Sequence, residues 1–404
     1  MIHSNLAEQE ISSREEPTSI LTGLSLTELG YSFVVFYAVL GAPLGLTVGN
    51  VGVGILMLLV LGLYVAEAGN SIFIILKQIN WALASGVSYL LIQFLIHDES
   101  TSQLYVRNVG IWIPSLIVVQ WLVGREQFLH RFAFVTIALG FAMLPYMNLN
   151  GGGAYQRFGL DSEVGFGNPN DLGCWYGFGS LYLALAGFGA RTTAMRIFCW
   201  ICSLVCLYLI TLTISRSPLI GMAAAMLVAS RRLFKESFPL LLLLGGLTYG
   251  AMVLGVFDVA LKSYGIRASE ETGRFQIWPI LLEKFLNSAL VGVGASHAGA
   301  IGPRGDYITA HNGFLLIGVA SGIVPVVLFL GQWVKAAVAA MRAYVENWPG
   351  SEFQLPLLVY ALLITNTGNQ SFMAPWAIVC LALPLALHSG WQQESPRTGH
   401  TYLA

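Results

Sequence analysis

Runs of about twenty apolar residues recur from residue 28 to residue 389 of this chain, separated by short polar breaks, and they constrain its fold more than any other feature. In lipid, every backbone N–H and C=O must be satisfied inside the chain, so runs of this length become helices packed on one another. The runs lie near 28–46, 48–66, 79–96, 108–124, 128–147, 171–189, 195–214, 217–231, 237–257, 312–331, 355–372 and 374–389, about twelve spans. The span 217–231 is short. The stretch 332–346, with Lys335 and Arg342, reads instead as an interfacial helix. Charge agrees: 10% of the residues are charged, against about 25% in soluble proteins. The expected class is all-α, a polytopic, multi-pass integral membrane protein.

Basic residues set the orientation. With the N-terminus in the cytoplasm, inner loops hold Lys77, Arg125, Arg131, Arg191, Arg196, Arg231, Arg232, Lys235, Lys335 and Arg342. The short outer loops hold only Arg107, Arg157 and Arg216. Both termini are then cytoplasmic. Residues 1–20 are polar and acidic without a basic n-region leading into a short apolar core, so 1–27 read as a disordered tail rather than a cleavable signal. Residues 28–257 carry the first nine spans, 258–311 form one long outer loop, 312–389 carry the last three spans, and 390–404 form a second tail. The balance of 20 basic to 21 acidic residues argues against a nucleic-acid partner. Cys199, Cys202 and Cys206 share one helical face inside an apolar run, and read as packing residues rather than metal or redox ligands.

Two outer segments stand apart. Residues 148–170 are rich in Gly and Asn and close on Asn168-Pro169-Asn170. In 258–311, Phe275, Trp278, Leu282, Phe285 and Leu286 recur at helical spacing behind Gly273, which predicts an amphipathic helix on the outer membrane surface. Gly292, Gly294, Gly299, Gly302 and Gly305 follow, where the backbone is expected to bend and approach a ligand.

The predicted topology gathers Arg216, Arg274 and His311 on this outer side. Cations are costly near lipid, so those retained usually have a partner or a task. Two planar guanidinium groups match the oxygens of a lipid diphosphate and offset the charge that builds as a glycosyl bond breaks. A histidine orients or deprotonates an attacking hydroxyl. Each residue alone also has a structural reading. Arg216 snorkels from a short helix, Arg274 pairs with Glu270 or Glu271, and His311 caps a helix. Asn168 and Asn170 read as an Asx-type turn with a cap at Asn170 or Asp171, or as amides facing sugar or phosphate. Trp278 and Tyr264 read as interface aromatics or as platforms for sugar rings. Arg157 and Asn312 lie at the same side and complete the candidate substrate contacts; Asn366, Asn369 and Gln370, at another outer turn, read by default as solvated loop, with contact to glycan as the alternative. Asp161-Ser162-Glu163 lacks the second acidic cluster that a metal-bound nucleotide sugar requires. Ser296-His297 reads as loop rather than as a nucleophile with its base, the histidine pointing elsewhere.

The order TISRS (213–217), TGRFQIW (272–278), a VGVG segment (291–294) and HNGFLLIG (311–318), preceded by GNPNDLG (167–173), resembles the O-antigen ligase and O-antigen polymerase superfamily. The resemblance runs from about residue 165 to 330; before that only hydropathy matches. It implies a glycosyltransferase-C-like helical fold that transfers a glycan from undecaprenyl diphosphate at the periplasmic face of the bacterial inner membrane, without metal or other cofactor. By motif context the family's two essential arginines correspond to Arg216 and Arg274, its histidine to His311, and its periplasmic loop to 258–311. The loop is shorter than in many members. The acceptor is then a core sugar of lipopolysaccharide (ligase) or the end sugar of a second lipid-linked repeat unit in O-antigen or exopolysaccharide growth (polymerase). A transporter or flippase is the reading from another class, disfavoured because its charges belong near the midplane.

Overall fold

The computed structural model describes residues 24–41, 44, 49–99, 104–125, 127–150, 157–160, 169–230, 274–302, 307–348, 350–368 and 371–391, with single positions and a short turn between 246 and 264. The described residues are helical nearly throughout. In order the helices are α1 (Leu26–Leu40), α2 (Gly49–Ala68), α3 (Ile72–Gln78), α4 (Asn80–Leu95), α5 (Leu104–Leu122) and α6 (Phe128–Ala142). Then come α7 (Pro169–Gly189), α8 (Thr193–Thr213), α9 (Arg216–Ser230) and α10 (Arg274–Asn287). The last are α11 (Gly313–Ser321), α12 (Ile323–Val345), α13 (Ser351–Thr365) and α14 (Pro375–Trp391). Two short hairpins depart from the all-α expectation. Strands β1 (Met147–Asn150) and β2 (Arg157–Leu160) pair antiparallel, as do β3 (Gly299–Ile301) and β4 (Tyr307–Thr309). Part of the Gly- and Asn-rich outer segment is therefore a hairpin.

Among the described residues, Phe128–Tyr146, Thr193–Thr213 and Ile323–Val345 are long and apolar enough to cross a membrane. Gly52–Ala68 and Ile72–Gln78 meet the same criterion together, bent by 120° at the break between them. Shorter apolar helices make up much of the remainder, α9 and α13 among them. The span expected over 237–257 lies almost wholly outside the described residues.

Helix α7 is buried along most of its length, and its small residues explain how. Gly177 lies so close to Tyr360 that a Cβ would overlap the phenol, whose hydroxyl donates to the Cys174 carbonyl over 2.7 Å. Without a hydrophobic driving force between helices in lipid, such close approach and interhelical hydrogen bonds carry the packing. Arg131, expected in an inner loop, is instead 6% exposed within α6 and grips Glu28 of α1, 2% exposed, through two hydrogen bonds, one of 2.7 Å. An uncompensated charge there would be prohibitive, so the two residues enter the core as a pair.

The run 312–331, expected as one span, is folded back on itself. Phe314 packs against Phe329 with centroids 5.2 Å apart, and Gly318 faces Val326, so α11 and the start of α12 form an antiparallel hairpin. The turn is Gly322, at φ 83°, where a Cβ would overlap the Leu290 carbonyl and stand 2.7 Å from the Val291 nitrogen. The long apolar helix is consequently 323–345. It absorbs the stretch 332–346 that had read as interfacial, since the Lys335 ammonium snorkels to the carbonyls of Lys77 and Gln78, each 2.8 Å away.

Helix α10 is where the 275–286 periodicity predicts it, but it runs lengthwise beside α11. Its contacts hold a nearly constant offset: Trp278 with Ala310 (32 residues), Phe285 with Gly318 (33) and Ala289 with Ile323 (34). The two helices are therefore parallel. The face turned to the protein is Ile277 and Leu281, with Trp278 and Phe285 at its edges, while Leu282 and Leu286 are exposed.

Candidate functional site

Helix α8 stops where Ile214 turns left-handed, at φ 52° and ψ 34°. A β-branched residue in that region is strained by roughly 1–3 kcal/mol, so its surroundings must hold it. They do. Ser215, 1% exposed, donates its hydroxyl to Asn170 Oδ1 over 2.7 Å, and its carbonyl accepts the Tyr264 hydroxyl at 3.1 Å. Arg216 follows as the first residue of α9, half-buried. Its Nη2 is buried and finds no hydrogen-bond partner among the described residues. A buried, unpaired guanidinium nitrogen costs about 1–3 kcal/mol, more for a charged group, and that cost is recovered when an anionic oxygen arrives.

His311 lies between β4 and α11, half-buried, in the left-handed region at φ 48°. Asn312 caps α11 by accepting the Leu315 N–H at 3.0 Å, and its amide reaches Asn366 Oδ1 at 3.5 Å. One turn into α10, Trp278 donates its indole N–H to the Ala310 carbonyl at 2.7 Å. This bond brings the N-terminal turn of α10, which begins at Arg274, beside His311.

A chain of contacts at the C-terminal end of α13 joins the two halves of the site. Gly221 of α9 lies against Tyr360 and Ile364, and Gly313 of α11 lies against Thr365 and Phe372. Arg216 and His311 therefore open at the same end of the bundle, around Thr365 and Asn366. Asn170 of α7 joins them through Ser215. Four helices, α7, α9, α10 and α11, begin here. Each turns the positive end of its dipole toward this place, the arrangement that receives phosphate. The site is also recessed. Phe314 stands beside Phe329, six residues past Ile323 (329−323=6), about 9 Å along α12 from the hairpin tip.

Other predicted positions differ or stay open. Helix α7 begins at Pro169, so Asn170 is inside its first turn and holds Ser215 rather than capping. Asn168, Asn369 and Gln370 lie outside the described residues, as do the side chains of Arg157 and Arg274, although Arg157 is placed on β2 opposite Asn150. Asn312 spends its carbonyl oxygen on the helix cap. Trp278 spends its N–H on Ala310. The glycines of the VGVG segment meet protein instead of ligand: Gly292 (φ 70°) lies against the Ala320–Ser321 backbone and Gly294 against Glu99 and His97. His297 does not point away from Ser296; its Nδ1 is 2.8 Å from Ser296 Oγ. That hydroxyl is donated to Glu99, which also accepts the Ser296 N–H at 2.8 Å, so the group locks a turn and is not a poised nucleophile. Ser215, part of the TISRS motif, carries more of the site than its residue type suggests, and Tyr264, expected as an interface aromatic or a sugar platform, places its hydroxyl on the Ser215 carbonyl.

No curated protein matches the chain. Residues 201–330 match the O-antigen ligase family model. That stretch contains α9, α10, His311 and α11, three of the four helix starts that surround the recess. Over that stretch the chain is similar to the O-antigen ligase family, and its long apolar helices are those of a membrane-embedded, helical protein.

Proposed function

We propose that this protein transfers a glycan from undecaprenyl diphosphate to an acceptor sugar at the periplasmic face of the bacterial inner membrane, as an O-antigen ligase. In this reading the chain crosses the membrane about twelve times, both termini are cytoplasmic, and 258–311 is a periplasmic segment. Arg216 and Arg274 hold the diphosphate, with the N-terminal dipoles of α7, α9, α10 and α11 behind them. His311 orients the acceptor hydroxyl and takes its proton as the oxygen attacks the anomeric carbon. The new C–O bond forms while the bond to the diphosphate breaks, and the diphosphate leaves with the electron pair. It is a stable anion and needs no proton donor, and a single displacement inverts the anomeric centre. The arginines supply the charge that a divalent cation supplies in nucleotide-sugar transferases. Asn168, Asn170, Arg157, Asn312 and Trp278 are the proposed contacts to glycan and acceptor.

The observation that carries this reading is the buried, unpartnered Nη2 of Arg216 at a recess where four helices begin. Arg216→Ala and Arg274→Ala should each abolish glycan transfer from lipid-linked donor in proteoliposomes while membrane insertion stays intact; retained transfer contradicts the proposal. Surface polysaccharide of a deletion strain separates ligase from polymerase. Loss of all attached chains fits the ligase. A single attached repeat unit shows that the acceptor is a second lipid-linked unit.

A further inference from the structure

The recess is built by the N-terminal ends of α10 and α11, and a second set of contacts fixes these two helices at their other ends. Gln93, in the last turn of α4, is completely buried. Its Oε1 accepts the Ala295 N–H at 2.7 Å, and its Nε2 donates to the Ala320 carbonyl and to Ser321 Oγ, both at 2.9 Å. A single neutral amide thus joins the turn after α10 to the tip of the α11–α12 hairpin. Backbone bonds complete the joint: Val293 N to Val319 O (2.8 Å), Gly294 N to Ala320 O (3.1 Å) and Ile323 N to Ala289 O (2.7 Å). The turn following α4 adds two more contacts. His97 Nε2 is 2.8 Å from the Val291 carbonyl, and Glu99 receives both the N–H and the hydroxyl of Ser296.

We infer that Gln93 and Glu99 are positioning residues for glycan transfer, acting through α10 and α11 on Arg274 and His311. This inference rests on the proposed transfer reaction. The mechanical argument is simple. Helices α10 and α11 are parallel and side by side, tied at one end by Trp278–Ala310 and at the other by Gln93. From Ser321 back to Gly313 is eight residues, about 12 Å. A helix is stiff over that length, so freeing its C-terminal end lets its N-terminal end swing. Misplacement by about 1 Å costs on the order of a hundredfold in rate. Gln93 and Glu99 both lie outside the 201–330 stretch that matches the family model, so that stretch depends on a clamp supplied by a separate part of the chain.

The test combines transfer kinetics with hydrogen exchange on the full-length protein in proteoliposomes. Gln93→Met keeps the volume and removes all three hydrogen bonds. The expected result is a fall of tenfold or more in kcat with KM for the lipid-linked donor within about threefold, together with faster exchange at 293–296 and at Leu315 and Leu316. Should Gln93→Met not fold, Glu99→Ala gives the same readouts at a half-exposed position. Glu99→Gln, which keeps an acceptor oxygen, should restore kcat to within about threefold of the parent. A kcat within twofold of the parent for both Gln93→Met and Glu99→Ala overturns the inference. So does loosening confined to 293–296 with Leu315 and Leu316 still protected, because the clamp then does not reach His311. Arg216→Ala is the control for the underlying reading: it should lose transfer with exchange at 289–296 unchanged. If the parent shows no transfer, the reaction is wrong, and the exchange data still decide whether the clamp holds α11.

Discussion

The indole N–H of Trp278 bonds the carbonyl of Ala310 across 2.7 Å, and through that bond the helix beginning at Arg274 is set beside His311. Trp278 lies on α10 and Ala310 in the segment that leads into α11, so this donor sets the relative height of the two helices at their N-terminal ends. Trp278→Phe keeps the ring and removes the donor. It should cost about 1 kcal/mol of stability and lower transfer roughly tenfold through misplacement of Arg274. Thermal unfolding in detergent and initial rates of transfer check both figures.

Arg216 offers a planar fork, and the proposed diphosphate demands one. Arg216→Lys keeps the charge and loses the bidentate geometry. Transfer by this variant should fall by about ten- to a hundredfold, short of the complete loss expected for Arg216→Ala. Equal rates for Lys and Arg would mean that only the charge is used.

Glu28 and Arg131 are buried together, so their variants should not add. Arg131→Met leaves a buried carboxylate and should destabilise the protein by about 3–5 kcal/mol. Glu28→Gln combined with Arg131→Met removes both charges and should recover most of that loss. Denaturation midpoints of the two single variants and the double variant give the coupling directly.

Gly322 turns the α11–α12 hairpin at φ 83°, with the Leu290 carbonyl occupying the place of a side chain. Gly322→Ala should therefore cost several kcal/mol, from both strain and backbone overlap. Reduced membrane yield and a lowered unfolding temperature are expected. A variant as stable as the parent would show that the turn is not needed.

Much of the architecture was legible before any coordinates. The helices at 79–96, 171–189, 195–214, 217–231 and 374–389 fall within a few residues of α4, α7, α8, α9 and α14, because hydropathy reports directly on what lipid will accept. The α10 periodicity was equally plain. The run 312–331 misled for a physical reason: both arms of the hairpin are apolar, and a hydropathy window cannot distinguish a continuous span from one folded at a glycine. Arg131 misled because a charge beside a short loop reads as solvated until its partner on α1 is known. Among the candidate site residues, Arg216 and His311 stood out by charge and motif and Tyr264 as an aromatic, whereas the weight of Ser215, Gln93 and Glu99 comes from what they touch.

Composition and the spacing of apolar runs determined by themselves that this chain is a helical membrane protein with a few cations held in common motifs, since burial in lipid is judged residue by residue. Which helix ends meet was decided by tertiary structure alone. The recess exists because Gly322 reverses the chain against Leu290, Gly221 and Gly313 let α9 and α11 close on α13, and Gln93 ties α4 to the hairpin tip. Those are contacts between residues distant in sequence, and their strength depends on shape and hydrogen-bond geometry that no local pattern carries.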